Sequence, residues 1–227
     1  MDLADWQQDH KTVIHQFLKQ MNNVSSSFIL KGGTALMECY GLDRFSEDID
    51  LDASRSKLRG FMDDFCKSAG YSYRIAKDTP TVNRFMIDYG SEMNKRLKVE
   101  ISYRAMVIPS DSYTEINGIQ VYTMDRMAQL KAAAYLNRDR IRDLYDLCYI
   151  CNQYLSALKE STVMQIKDAF SCKGFDHFDY ITRNERDPFI DQERLADAYL
   201  KVFDRLGLLY TNDEKLGIRF SGKALTR

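Results

Sequence analysis

The spacing of hydrophobic residues divides the chain into a mixed first half and a helical second half. Residues 3–21 carry apolar side chains three and four positions apart, which predicts an opening helix. A buried strand at 28–30 then runs into a helix at 34–40 that ends at Gly41. Another helix is predicted at 54–70. Strand-like segments lie at 47–52, 71–77, 84–90, 96–104 and 119–125.

From Met124 onward the pattern becomes helical. Helices are predicted at 127–138, 139–155, 156–174 and 187–207. Asp139 is a candidate N-cap of the second of these, and Pro188 lies just inside the start of the last. The chain therefore predicts an α/β domain at 1–124 and a helical domain at 125–227.

Composition narrows the class of protein. The 227 residues are 44% hydrophobic and 29% charged, as in a globular protein, and the formal net charge of −1 argues against coating nucleic acid by bulk charge. No segment has the roughly 18–20 continuous apolar residues of a membrane span, and the acidic, amphipathic start is not a signal peptide. We therefore expect no membrane association.

Five cysteines, an odd number, favour a reducing compartment, so we expect a cytoplasmic protein. Cys148 and Cys151 form a CxxC pair inside a predicted helix, without a second pair or a nearby histidine. We interpret them as thiols of the hydrophobic core and not as a zinc or redox site.

A cluster of carboxylates is the first candidate for chemistry. In FSEDIDLD (45–52), Asp48, Asp50 and Asp52 occupy alternate strand positions and so lie on one face. Glu100, on another predicted strand, joins Asp48 and Asp50 if the two strands pair. Clustered carboxylates raise one another's pKa unless a cation neutralises them. Oxygen ligands without His or Cys favour Mg²⁺ or Mn²⁺ over zinc.

The alternative is that these acids only form ion pairs on a solvated edge strand, with Arg44, Arg55 or Lys98 as partners. Asp52 fits this alternative best, because it lies beyond the Asp-x-Asp pair.

The segment KGGTAL (31–36) favours the metal site. Its two glycines separate a buried strand from a helix, so the backbone can turn sharply and approach a ligand closely. The start of the helix offers free N–H groups to an anion such as phosphate. A phosphate site next to an Asp-x-Asp pair is a more specific signal than either motif alone.

These motifs resemble the signature of the nucleotidyltransferase superfamily, a glycine-rich turn followed by Asp-x-Asp. More narrowly, FILKGGTALMECYGLDRFSEDIDLD resembles the AbiEii/AbiGii toxin family. RLKVEIS resembles the strand that carries the family's third carboxylate, and QLKAAAYLNRDRIRDLYDL resembles its later helical motif. The four matches occur in order across residues 28–147, and the resemblance has no specificity past about residue 155.

The resemblance implies a nucleotide site. Gly32, Gly33 and Thr34 would hold the triphosphate of an NTP, and Lys131 would contact it and offset charge on the departing pyrophosphate. Arg44 either contacts phosphate or pairs with a neighbouring acid. On an amphipathic helix, Lys131 could also be an ordinary solvated residue.

The resemblance also implies a metal site. Asp48, Asp50 and Glu100 would bind two Mg²⁺ or Mn²⁺ ions that bridge the phosphates and activate an attacking hydroxyl. Asp143 and Asp146 match the family's late acidic motif, with Asp146 favoured as catalytic and Asp143 as nucleotide-binding. The alternative for Asp146 is a helical i,i+4 ion pair with Arg142.

The fold implied is α+β: a polymerase-β-like nucleotidyltransferase mixed sheet with flanking helices, followed by a helical C-terminal domain that completes the nucleotide site. The activity implied is transfer of NMP from an NTP to an acceptor by the toxin of a bacterial toxin–antitoxin or abortive-infection system. The tRNA 3′ end is a candidate acceptor, and a cognate antitoxin is the expected protein partner. The alternatives are an NTP-binding regulator without transfer, and a transferase that modifies a protein or small molecule.

Basic residues near the predicted strand ends have two interpretations. They either follow the phosphates of an RNA acceptor or are ordinary solubility charges. They are Arg55, Lys57, Arg59, Lys95, Arg96, Lys98 and Arg104.

Overall fold

The structure is a computed structural model that describes residues 4–54, 58–90, 94–105 and 107–209. Arg55 and Lys57 lie outside the described residues. The chain forms two compact units, Met1–Lys131 and Ala132–Arg227, which divide within the helix Met124–Asn137. The domain boundary predicted from the sequence falls at the start of that helix.

The first unit contains a seven-stranded mixed sheet of order β3-β4-β5-β2-β1-β7-β6. The pairs β2–β5 and β1–β7 are parallel, and the other neighbouring pairs are antiparallel. The strands are β1 Ile29–Lys31, β2 Asp48–Asp52, β3 Ser72–Asp78, β4 Val82–Asp88, β5 Arg96–Ser102, β6 Tyr113–Ile116 and β7 Ile119–Tyr122.

Helices flank the sheet in the first unit and make up the second. They are α1 Asp5–Val24, α2 Gly32–Tyr40, α3 Arg59–Ala69, α4 Met124–Asn137, α5 Ile141–Tyr154, α6 Glu160–Asn184 and α7 Gln192–Arg205. The predicted mixed sheet followed by a helical region is confirmed.

Strand alternation gives the sheet one apolar face at its centre. Ile49 and Leu51 of β2 and Val99 and Ile101 of β5 are fully buried, whereas the residues between them are polar. Burial of these β-branched and aliphatic side chains drives the two strands together. The same alternation leaves the aspartates of β2 on the opposite face.

Two predicted helix starts are wrong. Asp139 does not cap α5: the N-cap is Arg140, and the Asp139 carboxylate instead accepts from Lys173 and His177, each at 2.7 Å. Pro188 does not begin α7, whose N-cap is Asp191. The Asp191 carboxylate accepts from two backbone N–H groups of the first turn and so satisfies donors that the helix leaves free.

One strand was not predicted, and one predicted helix is followed by a helical segment that was not. The strand β6 pairs only with β7 at the edge of the sheet, and its polar sequence gives a weak pattern. The helix α6 consists of two helical segments that meet at a kink at Gly174, where the backbone is non-helical (φ 62°, ψ −170°). Glycine often follows the last residue of a helix, so the sequence predicts that the first segment ends at Gly174.

Cys148 and Cys151 are buried in α5, as predicted for core thiols, and both are free. Burial raises the pKa of the Cys151 thiol to about 12.

Candidate functional site

A row of four charged residues crosses the centre of the sheet. Arg84 of β4 is in register with Glu100 of β5, Glu100 with Asp50 of β2, and Asp50 with Lys31 of β1. Residues in register on neighbouring strands point to the same face, so their charges lie side by side. The strand of Glu100 therefore pairs with that of the aspartates, which is the condition under which Glu100 joins them.

Three of the four carboxylates on this face have a cation of the chain as partner. Lys98 Nζ lies 2.5 Å from Asp48 Oδ2, and Lys98 is in register with Asp48. Arg84 donates twice to Glu100 Oε2, through Nε at 2.7 Å and a terminal nitrogen at 2.6 Å. Asp52 pairs with Lys31.

Asp52 is held by two residues that the sequence did not single out. Its Oδ1 lies 2.5 Å from Lys31 Nζ, and the Tyr122 hydroxyl donates to its Oδ2 at 2.9 Å. Asp52 is almost fully buried, with both oxygens occupied. This agrees with its interpretation as an ion-paired neighbour, although Lys31 is the partner and not one of the residues predicted.

Asp50 differs from the other three carboxylates. Its carboxylate makes no hydrogen bond or ion pair to another described residue. Burial raises the pKa of the Asp50 carboxyl, and the negative charges of Asp48 and Glu100 raise it further, against the opposing effect of Lys98 and Lys31. A partly buried carboxylate without a direct partner is costly, so the centre of this face favours binding of a cation.

The two glycines allow the start of α2 to approach this carboxylate. A Cβ on Gly32 would lie 3.0 Å from Asp50 Oδ2, and Gly32 has a positive φ of 78°. A Cβ on Gly33 would lie 2.7 Å from an Arg44 guanidinium nitrogen and 2.8 Å from Ser46 Oγ. Larger residues would push the first turn of α2 away from the carboxylates.

Thr34 and Arg44 support this turn from inside the protein. The buried Thr34 hydroxyl hydrogen bonds with the Asp48 carbonyl and, at 3.0 Å, with Ser46 Oγ, which ties α2 to the start of β2. Arg44 is also buried and donates to the Phe45 carbonyl at 3.1 Å. Gly32 and Gly33 can therefore offer their backbone N–H groups to a phosphate. The side chains of Thr34 and Arg44, which were also predicted to contact phosphate, are packed inside the protein.

The predicted residues of the later motif lie on α4 and α5. Lys131 lies on α4 and is the last residue of the first unit. It is largely buried, so it is not the ordinary solvated lysine of the alternative interpretation. In the second unit, Asp143 is buried and receives two hydrogen bonds from Arg138, at 2.5 and 3.0 Å. Asp146 is completely buried. Arg142 pairs with Asp187.

Most of the described basic residues near the strand ends have acidic partners. Lys95 lies 3.5 Å from Glu47, Arg96 lies 3.4 Å from Asp88, and Lys98 pairs with Asp48. These ion pairs favour the interpretation that the three basic side chains neutralise neighbouring acidic residues.

The carboxylates suit a hard divalent cation by their chemistry. Asp48, Asp50 and Glu100 offer oxygen ligands on adjacent paired strands, and among the described residues the Asp50 carboxylate has no direct ion-pair partner. Within the described residues, no three acidic, His or Cys side chains already converge on one point. Asp48 and Glu100 would have to exchange Lys98 and Arg84 for the ion.

Comparison with known proteins decides the family. The family described as nucleotidyl transferase AbiEii toxin, type IV TA system, matches residues 16–216. The chain belongs to this family. No curated protein matches the sequence.

Solved structures support the same assignment. JHP933 from Helicobacter pylori is 29% identical, with a TM-score of 0.77 over 95% of this chain and 96% of that one. A second H. pylori protein, described as a candidate nucleotidyltransferase, is 27% identical, with a TM-score of 0.73 over 96% of this chain and 100% of that one. MenT4, a nucleotidyltransferase toxin from Mycobacterium tuberculosis, shares the fold (16% identity, TM-score 0.52, 89% and 85% coverage).

The AbiEii-family chain is therefore a nucleotidyltransferase enzyme of the toxin class, and its predicted nucleotidyltransferase fold is confirmed. The family implies an NTP substrate and an antitoxin. Among the described residues, no helix is long and apolar enough to cross a membrane.

Proposed function

We propose that this toxin transfers NMP from an NTP to an acceptor hydroxyl, with Mg²⁺ or Mn²⁺, in the cytoplasm. The observation that carries the proposal is the position of Asp50, whose carboxylate makes no hydrogen bond or ion pair to another described residue. It lies in register with Glu100 and directly beneath Gly32 at the start of α2. A cation ligand thus adjoins a backbone site for phosphate.

In this mechanism the N–H groups at the start of α2 bind phosphate oxygens of the NTP. The glycines at 32 and 33 permit that approach because a side chain at either position would collide with Asp50 or Arg44. Asp48, Asp50 and Glu100 would hold the divalent cation, which supplies positive charge to the phosphates and lowers the pKa of the acceptor hydroxyl.

The reaction exchanges one P–O bond for another. The acceptor oxygen bonds to the α-phosphorus while the bond from that phosphorus to the bridging oxygen breaks, and pyrophosphate leaves. The hydroxyl proton is lost to water. Lys131 and the late acidic pair, Asp143 and Asp146, are proposed to assist the nucleotide, in line with the family motif that they match.

The proposed acceptor is the tRNA 3′ end. The test incubates the protein with each α-labelled NTP and Mg²⁺, together with total tRNA or a protein lysate. We expect label on tRNA that disappears in Asp48→Ala and Asp50→Ala. Asp88→Ala, which alters an exposed aspartate of β4, is the matched control and should retain activity.

Each alternative outcome points to a different function. Label on protein or on a small molecule instead of tRNA would assign the other acceptor class. NTP binding without transfer to any acceptor would identify a regulator and refute the proposal. Growth arrest upon expression, relieved by Asp50→Ala and by the cognate antitoxin, tests the toxin role separately.

A further inference from the structure

Three ion pairs on the carboxylate face differ in how firmly they are held. The Lys31–Asp52 pair is enclosed, because Asp52 is 11% exposed and also accepts from Tyr122. The other two pairs are open to solvent. Side-chain exposure is 30% for Lys98 and 38% for Asp48, and it is 39% for Arg84 and 28% for Glu100.

The two open pairs involve two of the carboxylates that are proposed to bind metal. Arg84 directs two N–H groups at one oxygen of Glu100, and the Lys98 ammonium contacts one oxygen of Asp48. A divalent cation needs these carboxylates, and it is repelled by two positive charges at such short distances. Metal binding therefore requires both side chains to move aside.

Such movement is physically accessible. Both cations are on long side chains with many rotamers, and an exposed ion pair contributes little to stability. Asp52, in contrast, would lose two partners at a buried position. The carboxylate face thus contains one ion pair that should stay in place, Lys31–Asp52, and two that can open when metal binds, Lys98–Asp48 and Arg84–Glu100.

We propose that Arg84 and Lys98 are internal counter-cations, which compete with the divalent ion for Glu100 and Asp48 and thereby set the metal affinity. The inference rests on the proposed metal site. In the metal-free protein the two cations neutralise the outer carboxylates. When metal binds, they are released at the edge of the site, where phosphate oxygens of the NTP offer new partners.

This arrangement couples the two ligands. Metal alone must displace the two cations without compensation, whereas metal with NTP gives them phosphate oxygens as partners. The protein should therefore bind the metal more tightly when a nucleotide is present. The increase in affinity should be larger than the increase that the nucleotide's own chelation of the metal produces.

The test measures Mn²⁺ binding to the full chain by the EPR signal of free Mn²⁺, without nucleotide. The variants are Arg84→Gln, Lys98→Gln and the double variant. We expect each single substitution to tighten Mn²⁺ binding by about twofold to fivefold, because it removes one weak ion pair that competes with the metal. The double variant should bind most tightly.

Arg96→Gln is the matched control. Arg96 pairs with Asp88 across the same two strands, at 3.4 Å and with both side chains about half exposed, so it reproduces the loss of a β4–β5 ion pair away from the site. Its Mn²⁺ affinity should equal that of the wild type. Thermal unfolding of each protein verifies that the variants are folded.

Two results are distinguishable. Unchanged or weaker Mn²⁺ binding in both Arg84→Gln and Lys98→Gln, with binding abolished in Asp50→Asn, would overturn the counter-cation role and leave the metal site intact. Full Mn²⁺ binding in Asp50→Asn would instead refute the proposed metal site, and with it this inference.

Discussion

Gly33 shows how a single residue controls the phosphate turn. An added methyl group would lie 2.7 Å from the buried Arg44 guanidinium and 2.8 Å from Ser46 Oγ. Both neighbours are packed, so the turn itself must shift. We expect Gly33→Ala to lower the free energy of unfolding by about 1–3 kcal/mol, as overpacking does. Urea unfolding measures this change, and NTP binding should weaken in parallel.

Gly60→Ala is the control for that prediction. Gly60 lies in α3, and a Cβ there meets nothing within 4 Å. Alanine should stabilise the helix by about 0.5–1 kcal/mol, because it reduces the freedom of the unfolded chain. If the two substitutions changed the free energy of unfolding equally, the close contacts at position 33 would not affect stability.

The carboxylate positions were predictable from the sequence, and of their partners only Lys98, which pairs with Asp48, was among the residues named. Strand period 2 places Asp48 and Asp50 on one face whatever the strand order. The partners depend on which strands are neighbours: Lys31 reaches Asp52, and Arg84 reaches Glu100, only because β1 and β4 flank the β2–β5 pair.

At the scale of elements, the Thr34 hydroxyl joins α2 to β2. It hydrogen bonds with the Asp48 carbonyl and with Ser46 Oγ in the protein interior. Thr34→Val keeps the shape and leaves the carbonyl without this donor. We expect a loss of about 1–3 kcal/mol in unfolding free energy, together with weaker Mn²⁺ binding, since Asp48 begins β2.

Thr12→Val provides the comparison. The Thr12 hydroxyl also donates to a carbonyl, that of Gln8 at 2.9 Å, but on the exposed surface of α1, where water replaces the lost bond. Its effect on unfolding should be within about 0.5 kcal/mol. If Thr34→Val were equally mild, the tie between α2 and β2 would contribute little.

Element boundaries were predictable where local chemistry determines them. Gly41 ends α2 in the left-handed conformation, as predicted. The start of α7 was missed because two acidic residues, Asp187 and Asp191, compete for the cap. Asp187 instead pairs with Arg142, a contact from a distant part of the chain that no local pattern reveals.

At the scale of the whole molecule, His10 connects three distant segments of the first unit. Its Nε2 lies 2.7 Å from the Glu47 carbonyl, which can only accept, so Nε2 carries the proton. Its Nδ1 then accepts from the Tyr89 hydroxyl at 2.6 Å. The neutral ring therefore satisfies both neighbours, and a protonated ring would not accept the Tyr89 hydroxyl.

Burial lowers the pKa of His10 from 6.5, and the nearby Lys95 charge acts in the same direction, against the Glu47 hydrogen bond and the Glu47 and Asp48 charges. The unfolded chain therefore takes up this proton more readily than the folded one. As the pH falls through 6.5 towards the lowered pKa, stability should decrease, and below that pKa the contribution is lost.

His10→Gln removes this titration, so the stability difference between wild type and variant should shrink as the pH falls from about 7.5 to about 5.5. Urea unfolding across that range measures the difference, with His15→Gln, at a half-exposed position of the same helix, as the control. A difference that stays constant with pH would show that the folded protein accepts a proton on His10 as easily as the unfolded chain. The connection of α1 to β2 and to the segment after β4 would then be independent of the charge on the ring.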